Sequence, residues 1–284
     1  MKAPKQRVVR VSLRLLALVC GSILALAAAH PALAASKAKR VPSGFYVFKD
    51  SRSAGVTEFR DAWTGRIASR DVEAAEAEPA SACSDPRHNL IGARWKGFEP
   101  FLVNKRSTPD YLSPTQALAD LRAAHSAWEH PFVTDCPDVP GRSRYDAIFG
   151  GTTTAPPSLT KLRFDGKNTV AFGRLEDTVC AGPGVVACVV AYSKGSVFVE
   201  ADMIVESDLA TQLGGDYRWT TGDTTDADAS GGELAVIDVA THEFGHWAGL
   251  AHANKSPELT MFPAVRDGMQ TLGLGDMKGL LARY

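Results

Sequence analysis

His242, Glu243, His246, Gly249 and His252 form the series His-Glu-x-x-His-x-x-Gly-x-x-His, and each residue type suits its position. Residues four apart on a helix project from one face about one turn apart, so His242 and His246 can reach a single ion. Glu243 falls to the side of that face, where a carboxylate can carry protons without holding the metal. Gly249 comes three residues after His246; lacking a Cβ, it can take the left-handed conformation that stops a helix and turns the chain back. His252 then returns to the same ion. Three neutral imidazoles leave the fourth tetrahedral position of a zinc ion for water, the ligand count of a hydrolytic site and not of a closed structural one. One catalytic zinc is the expected cofactor, with Glu243 as the catalytic base.

Such a set needs a helix under it. Leu234 to Ala248 holds helix-compatible apolar residues and no proline, and Ser230-Gly231-Gly232-Glu233 before it has the pattern of a capping box. A second helix is expected after Ser113-Pro114-Thr115-Gln116, which supplies an N-cap, a first-turn proline and a capping Gln. Ala117, Leu121, Ala124 and Trp128 fall on one face of it. His125 and His130 lack metal-ligand spacing to a partner and read as surface or cap histidines. Strands are expected at Ala93 to Asn104, Asn168 to Phe172, Val185 to Tyr192 and Ser196 to Val205, bounded by turn residues. Asp226-x-Asp228-x-Ser230-Gly231 imitates the first half of a calcium loop, but its twelfth position is Ile237 and not Glu. A solvated loop is the expectation there, with calcium the weaker alternative.

The five-residue series resembles that of the metzincin zinc peptidases, and within them the matrixins, especially small secreted bacterial members. Leu259-Thr260-Met261-Phe262-Pro263 is similar to the family's Met-turn, with Met261 nine residues after His252, and Leu272-Gly273-Leu274-Gly275-Asp276 to the start of its closing helix. The resemblance covers the last 60 or so residues well and is weaker upstream. It implies an α+β, zincin-like catalytic domain: a twisted mixed β-sheet, a long helix, the active-site helix and a small C-terminal subdomain with the Met-turn. It also implies peptide or protein substrates lying antiparallel to an edge strand, for which Val185 to Tyr192 is the candidate, beside a hydrophobic pocket walled by residues after Met261. Two features of relatives are missing. No metal-supplying histidine loop lies between Phe172 and Asp228, which argues against a second zinc, and Pro263 stands where some relatives place a tyrosine ligand.

The amino terminus bears on where this chemistry takes place. Lys2, Lys5, Arg7, Arg10 and Arg14, the apolar run Leu15 to Ala29 and Ala32-Leu33-Ala34 read as a signal peptide over residues 1–34. The apolar run is shorter than the roughly 20 residues of a spanning helix, so no membrane association is expected after its removal. Its removal takes five positive charges from a chain of formal net charge −1, a balance that does not suit nucleic acid. Residues 35–82 read as an N-terminal extension or propeptide with a linker, and residues 83–284 as the catalytic domain, assumed monomeric. Cys83, Cys136, Cys180 and Cys188 form an even set suited to two disulfides in an exported chain. Three pairings are open, and the sequential one, Cys83 to Cys136 and Cys180 to Cys188, is preferred. Cys83 could instead be an inhibitory thiol on zinc, but Ser81-Ala82-Cys83-Ser84 lacks the Pro-Arg-Cys-Gly pattern of the vertebrate matrixins. Two rival functions share the metal: a silent zinc-stabilised binding module, which would not need Glu243, and a cell-wall peptide amidase.

Overall fold

The computed structural model of the chain describes residues 44–50, 56–60, 81–129, 136, 143–159, 164–182, 184–222, 232–265 and 268–284. The expected signal peptide, His130 and the Asp226 to Gly231 loop lie outside them. In chain order the elements are β1 (Gly44–Asp50), β2 (Val56–Arg60), β3 (Asn89–Leu90), β4 (Glu99–Asn104), α1 (Pro114–Glu129), β5 (Ala147–Thr152), β6 (Thr169–Gly173), β7 (Ala187–Lys194) and β8 (Val197–Glu206). Then follow α2 (Leu209–Leu213), β9 (Arg218–Thr220), β10 (Glu233–Ala235), α3 (Val236–Trp247), β11 (Leu250–Ala251) and α4 (Leu274–Arg283). This is a mixed α+β architecture.

One sheet runs β2-β1-β7-β8-β6-β4-β5. β4, β5, β6 and β8 pair in parallel, β7 runs antiparallel to β8, and β1 lies parallel to the other side of β7. Parallel neighbours need a long crossover, and α1 provides the one between β4 and β5. Alternation along the strands sorts their side chains into two cores. Val189, Ala191, Met203 and Val205 join the main core with α1 and α3, whereas Cys188, Val190, Tyr192 and Ile204 pack with Leu159, Leu175 and Cys180 on the opposite face.

α1 begins where its capping sequence places it, with the Gln116 amide donating to Ser113 Oγ at 3.4 Å. Its buried stripe contains Ala117, Leu121, Ala124 and Trp128, and also His125 at 3% exposure. His125 is thus a core histidine and not a surface one. Its ring lies 4.7 Å from Phe101 and edge-on to Phe244 of α3, an environment an uncharged imidazole fills like an aromatic. The strand expected from Ala93 is shorter, because exposed Lys96, Gly97 and Phe98 break the alternation and only an isolated bridge from Arg94 to Val197 precedes Glu99.

Three acidic side chains of β8 fasten the loops on its flank. Glu200 accepts from the amides of Asp165 and Gly166, Asp202 from Ser158 and Thr169, and Glu206 from Leu175 and Asp208. Cys180 is bonded to Cys188, and Cys83 to Cys136 with Cα atoms 5.1 Å apart. No helix among the described residues is long and apolar enough to cross a membrane.

Candidate metal centre

α3 starts later than its sequence suggests. Glu233–Ala235 pairs in parallel with β9, and the Glu233 carboxylate binds the Arg218 guanidinium, so Glu233 caps no helix. Gly232 at φ +92° turns the chain into this short strand, and Val236 opens the helix. From there His242, Glu243 and His246 fall within the buried length of α3. Gly249 has φ +97°, and a Cβ on it would lie 2.9 Å from the Ala93 carbonyl oxygen, so both backbone angle and space call for glycine. The chain then enters β11, which pairs antiparallel with β3, and the Asn89 side-chain amide donates to the His252 carbonyl at 2.8 Å.

The three histidines meet. His242 Nε2 and His246 Nε2 are 3.0 Å apart, as are His246 Nε2 and His252 Nε2, and all three residues are at most 3% exposed. His242 Nδ1 lies 2.7 Å from the Thr260 carbonyl and His246 Nδ1 2.8 Å from that of Leu250. A carbonyl only accepts, so both Nδ1 atoms carry the proton and both Nε2 lone pairs point inward. Burial holds His242 down to about 4 and lowers His246 and His252 as well, so the imidazoles are neutral. Converging neutral lone pairs repel one another unless a cation sits among them. The donor set therefore fits a divalent metal, and three imidazoles suit zinc.

Glu243 is fully buried, and neither carboxylate oxygen has a hydrogen-bond partner among the described residues. Burial raises its pKa well above the usual carboxylate value. Its two oxygens thus keep their hydrogen-bonding capacity unused, one position along the helix from His242.

Met261 is the support that the Met-turn resemblance implies beneath the ligands, and Trp128 and Asp276 join it. A Cβ on Gly245 would overlap Met261 Sδ and lie 2.6 Å from Trp128 Cζ2, so Met261 and Trp128 both press against α3 between its two histidines. Trp128 Nε1 donates to the Thr241 carbonyl at 2.7 Å, joining α1 to the turn before His242. Asp276, buried in the first turn of α4, accepts from the amides of Thr260, Met261 and Gly273. It thereby holds the strap whose Thr260 carbonyl orients His242. The acid three residues after Gly273 was the available signal, since a carboxylate there can reach unpaired amides at a helix start.

The matrixin peptidase family model matches residues 193–284, the stretch that contains β8, α3, all three histidines and α4. The site is matrixin-like. A search of curated proteins gives no match. The matrixin match together with the histidine cluster supports a zinc metallopeptidase. In that matrixin-like frame, Cys83 is bonded to Cys136, which leaves it no free thiol to offer the metal.

Proposed function

We propose that the protein is an exported zinc endopeptidase in which Glu243 is the general base. The observation that carries this reading is the unpaired, buried Glu243 carboxylate next in sequence to a member of a converging histidine triad. Bound zinc would polarise a scissile carbonyl and acidify the water it coordinates. Glu243 would take a proton from the attacking water and hand it to the departing amine. His242, His246 and His252 would hold the metal, with the Thr260 and Leu250 carbonyls fixing two of the rings. Met261 would serve as the Met-turn residue under the site. A silent zinc module gives no reason to bury an unpaired carboxylate at this point.

Residues 35–82 we read as a propeptide. The expected substrate strand, β7, is not an edge in the full chain, because β1 pairs with it from Gly44 to Asp50. β1 would have to leave before a substrate could pair there, and the burial of Glu243 fits a closed state. Incubating the full chain and a chain cleaved between residues 61 and 80 with a mixed peptide library tests both readings. The cleaved form should hydrolyse internal peptide bonds, stop on chelation and recover with zinc. Hydrolysis unaffected by chelation would reject the zinc mechanism, and equal activity before and after cleavage would reject the propeptide.

A further inference from the structure

Away from the metal, a cavity of about 430 Å³ is lined by Arg94, Lys96, Phe98, Arg144, Asp146 and Tyr284, with Trp95 and Gly97 between them. Three cationic side chains there meet one side-chain carboxylate, that of Asp146, in a chain whose formal net charge is −1. Arg94, Lys96 and Arg144 form no ion pair among the described residues. Arg94 Nη1 donates to the Arg283 carbonyl at 2.9 Å, which ties it to the end of α4. Arg94, Lys96 and Arg144 are exposed, and cations gathered in this way attract an anion, the more so at low salt.

The surroundings indicate what kind of anion. Asp146 immediately precedes β5, the outermost strand on its side of the sheet among the described residues. An outermost strand offers unpaired main-chain groups to an added strand. Phe98 is 66% exposed and Ile148, on β5, is 47% exposed, so apolar surface lies beside the charges. An extended peptide laid along β5 could continue into the cavity and present acidic side chains to Arg144, Lys96 and Arg94 and an apolar one to Phe98. An acidic saccharide would use the cations and leave the strand edge unused.

The cavity is also tied to the active-site helix. Trp95 Nε1 donates to the Trp247 carbonyl at 2.8 Å, and the Tyr284 hydroxyl donates to the Ala248 carbonyl at 2.9 Å. Both bonds reach the C-terminal end of α3, directly after His246.

We propose that this cavity and the adjoining edge of β5 form a second binding site, specific for an acidic, extended peptide segment. As an exosite for protein substrates it rests on the peptidase reading; its binding chemistry does not. The test is fluorescence anisotropy of a labelled peptide of alternating Glu and Phe, titrated with the full chain carrying Glu243→Ala so that the probe is not cut. Binding should saturate, weaken on raising the salt from about 0.05 to about 0.3 M, and fall at least ~10-fold in a Lys96→Glu, Arg144→Glu double variant. Both side chains are exposed, so the double variant should melt like its parent. A polyuronate of matched charge should compete poorly. Absence of binding, equal affinity in the double variant, or competition by polyuronate as strong as by unlabelled peptide would each overturn the proposal. Hydrolysis of an uncharged peptide by the double variant in the Glu243 background, after propeptide cleavage, should equal that of its parent and reports on the peptidase reading separately.

Discussion

Gly245 occupies an unspecified position of the zinc series, yet it allows Met261 and Trp128 to touch α3 between the ligands. Gly245→Ala forces a methyl group into filled space and should cost about 1–3 kcal/mol, the usual penalty for overpacking. Urea unfolding measures it; a variant as stable as its parent would show that Met261 and Trp128 can move aside freely. His246→Ala removes a ligand whose Nε2 lies 3.0 Å from both of the others, and should lose the metal as well as activity, which elemental analysis checks. Asp276→Asn keeps the size of the side chain and removes an acceptor oxygen used by Thr260, Met261 or Gly273. Because Asp276 acts through the Thr260 strap, we expect weaker zinc retention on titration with a chelator. Unchanged zinc affinity would restrict Asp276 to capping α4.

At the scale of elements, the packing of α1 on α3 buries a titratable ring. Burial lowers His125 to about 4, below the roughly 6.5 of a free imidazole. A depressed histidine binds its proton more readily in the unfolded chain, so stability is fully present above about 6.5 and is lost as pH falls through about 4. The loss is at most about 3 kcal/mol, and pairing of the protonated ring with Glu129, 3.7 Å away, would reduce it. His125→Phe should therefore lose less stability than the parent between pH 7 and 4.5; parallel losses would contradict the assignment. Elements were legible in the sequence where local signals agreed. Pro114 and Ser113 announce α1, the apolar run Val185 to Tyr192 between turn residues announces a strand, and the five-residue series announces the ligands. Non-local pairing remained hidden. Glu233 looks like a capping residue until β9, fifteen residues earlier, takes it into a strand, and β7 looks like an edge until β1 pairs with it. The acids of β8 resemble solvated strand residues, because the amides they bind belong to distant loops. His125 was misplaced for a similar reason, since its neighbours Phe101 and Phe244 come from other elements.

Over the whole molecule, the Cys83–Cys136 bond ties the segment before β3 to the chain beyond α1 across a separation of 53 residues. In the chain-entropy model a loop of that size stabilises the fold by about 4 kcal/mol. Replacing both cysteines with serine should lower the urea midpoint accordingly and leave zinc binding intact. Under the proposed propeptide reading, peptide hydrolysis by that variant with the N-terminal segment still attached would assign the proposed latency to the bond and not to β1. If zinc held by His242, His246 and His252 hydrolyses peptides through Glu243, one variant separates metal binding from catalysis. After removal of the N-terminal segment, Glu243→Ala and its parent should each hold one zinc per chain, while the variant's peptide hydrolysis falls by about 10²-fold or more. Hydrolysis by the variant at the parental rate, with zinc retained, would rule out Glu243 as the base.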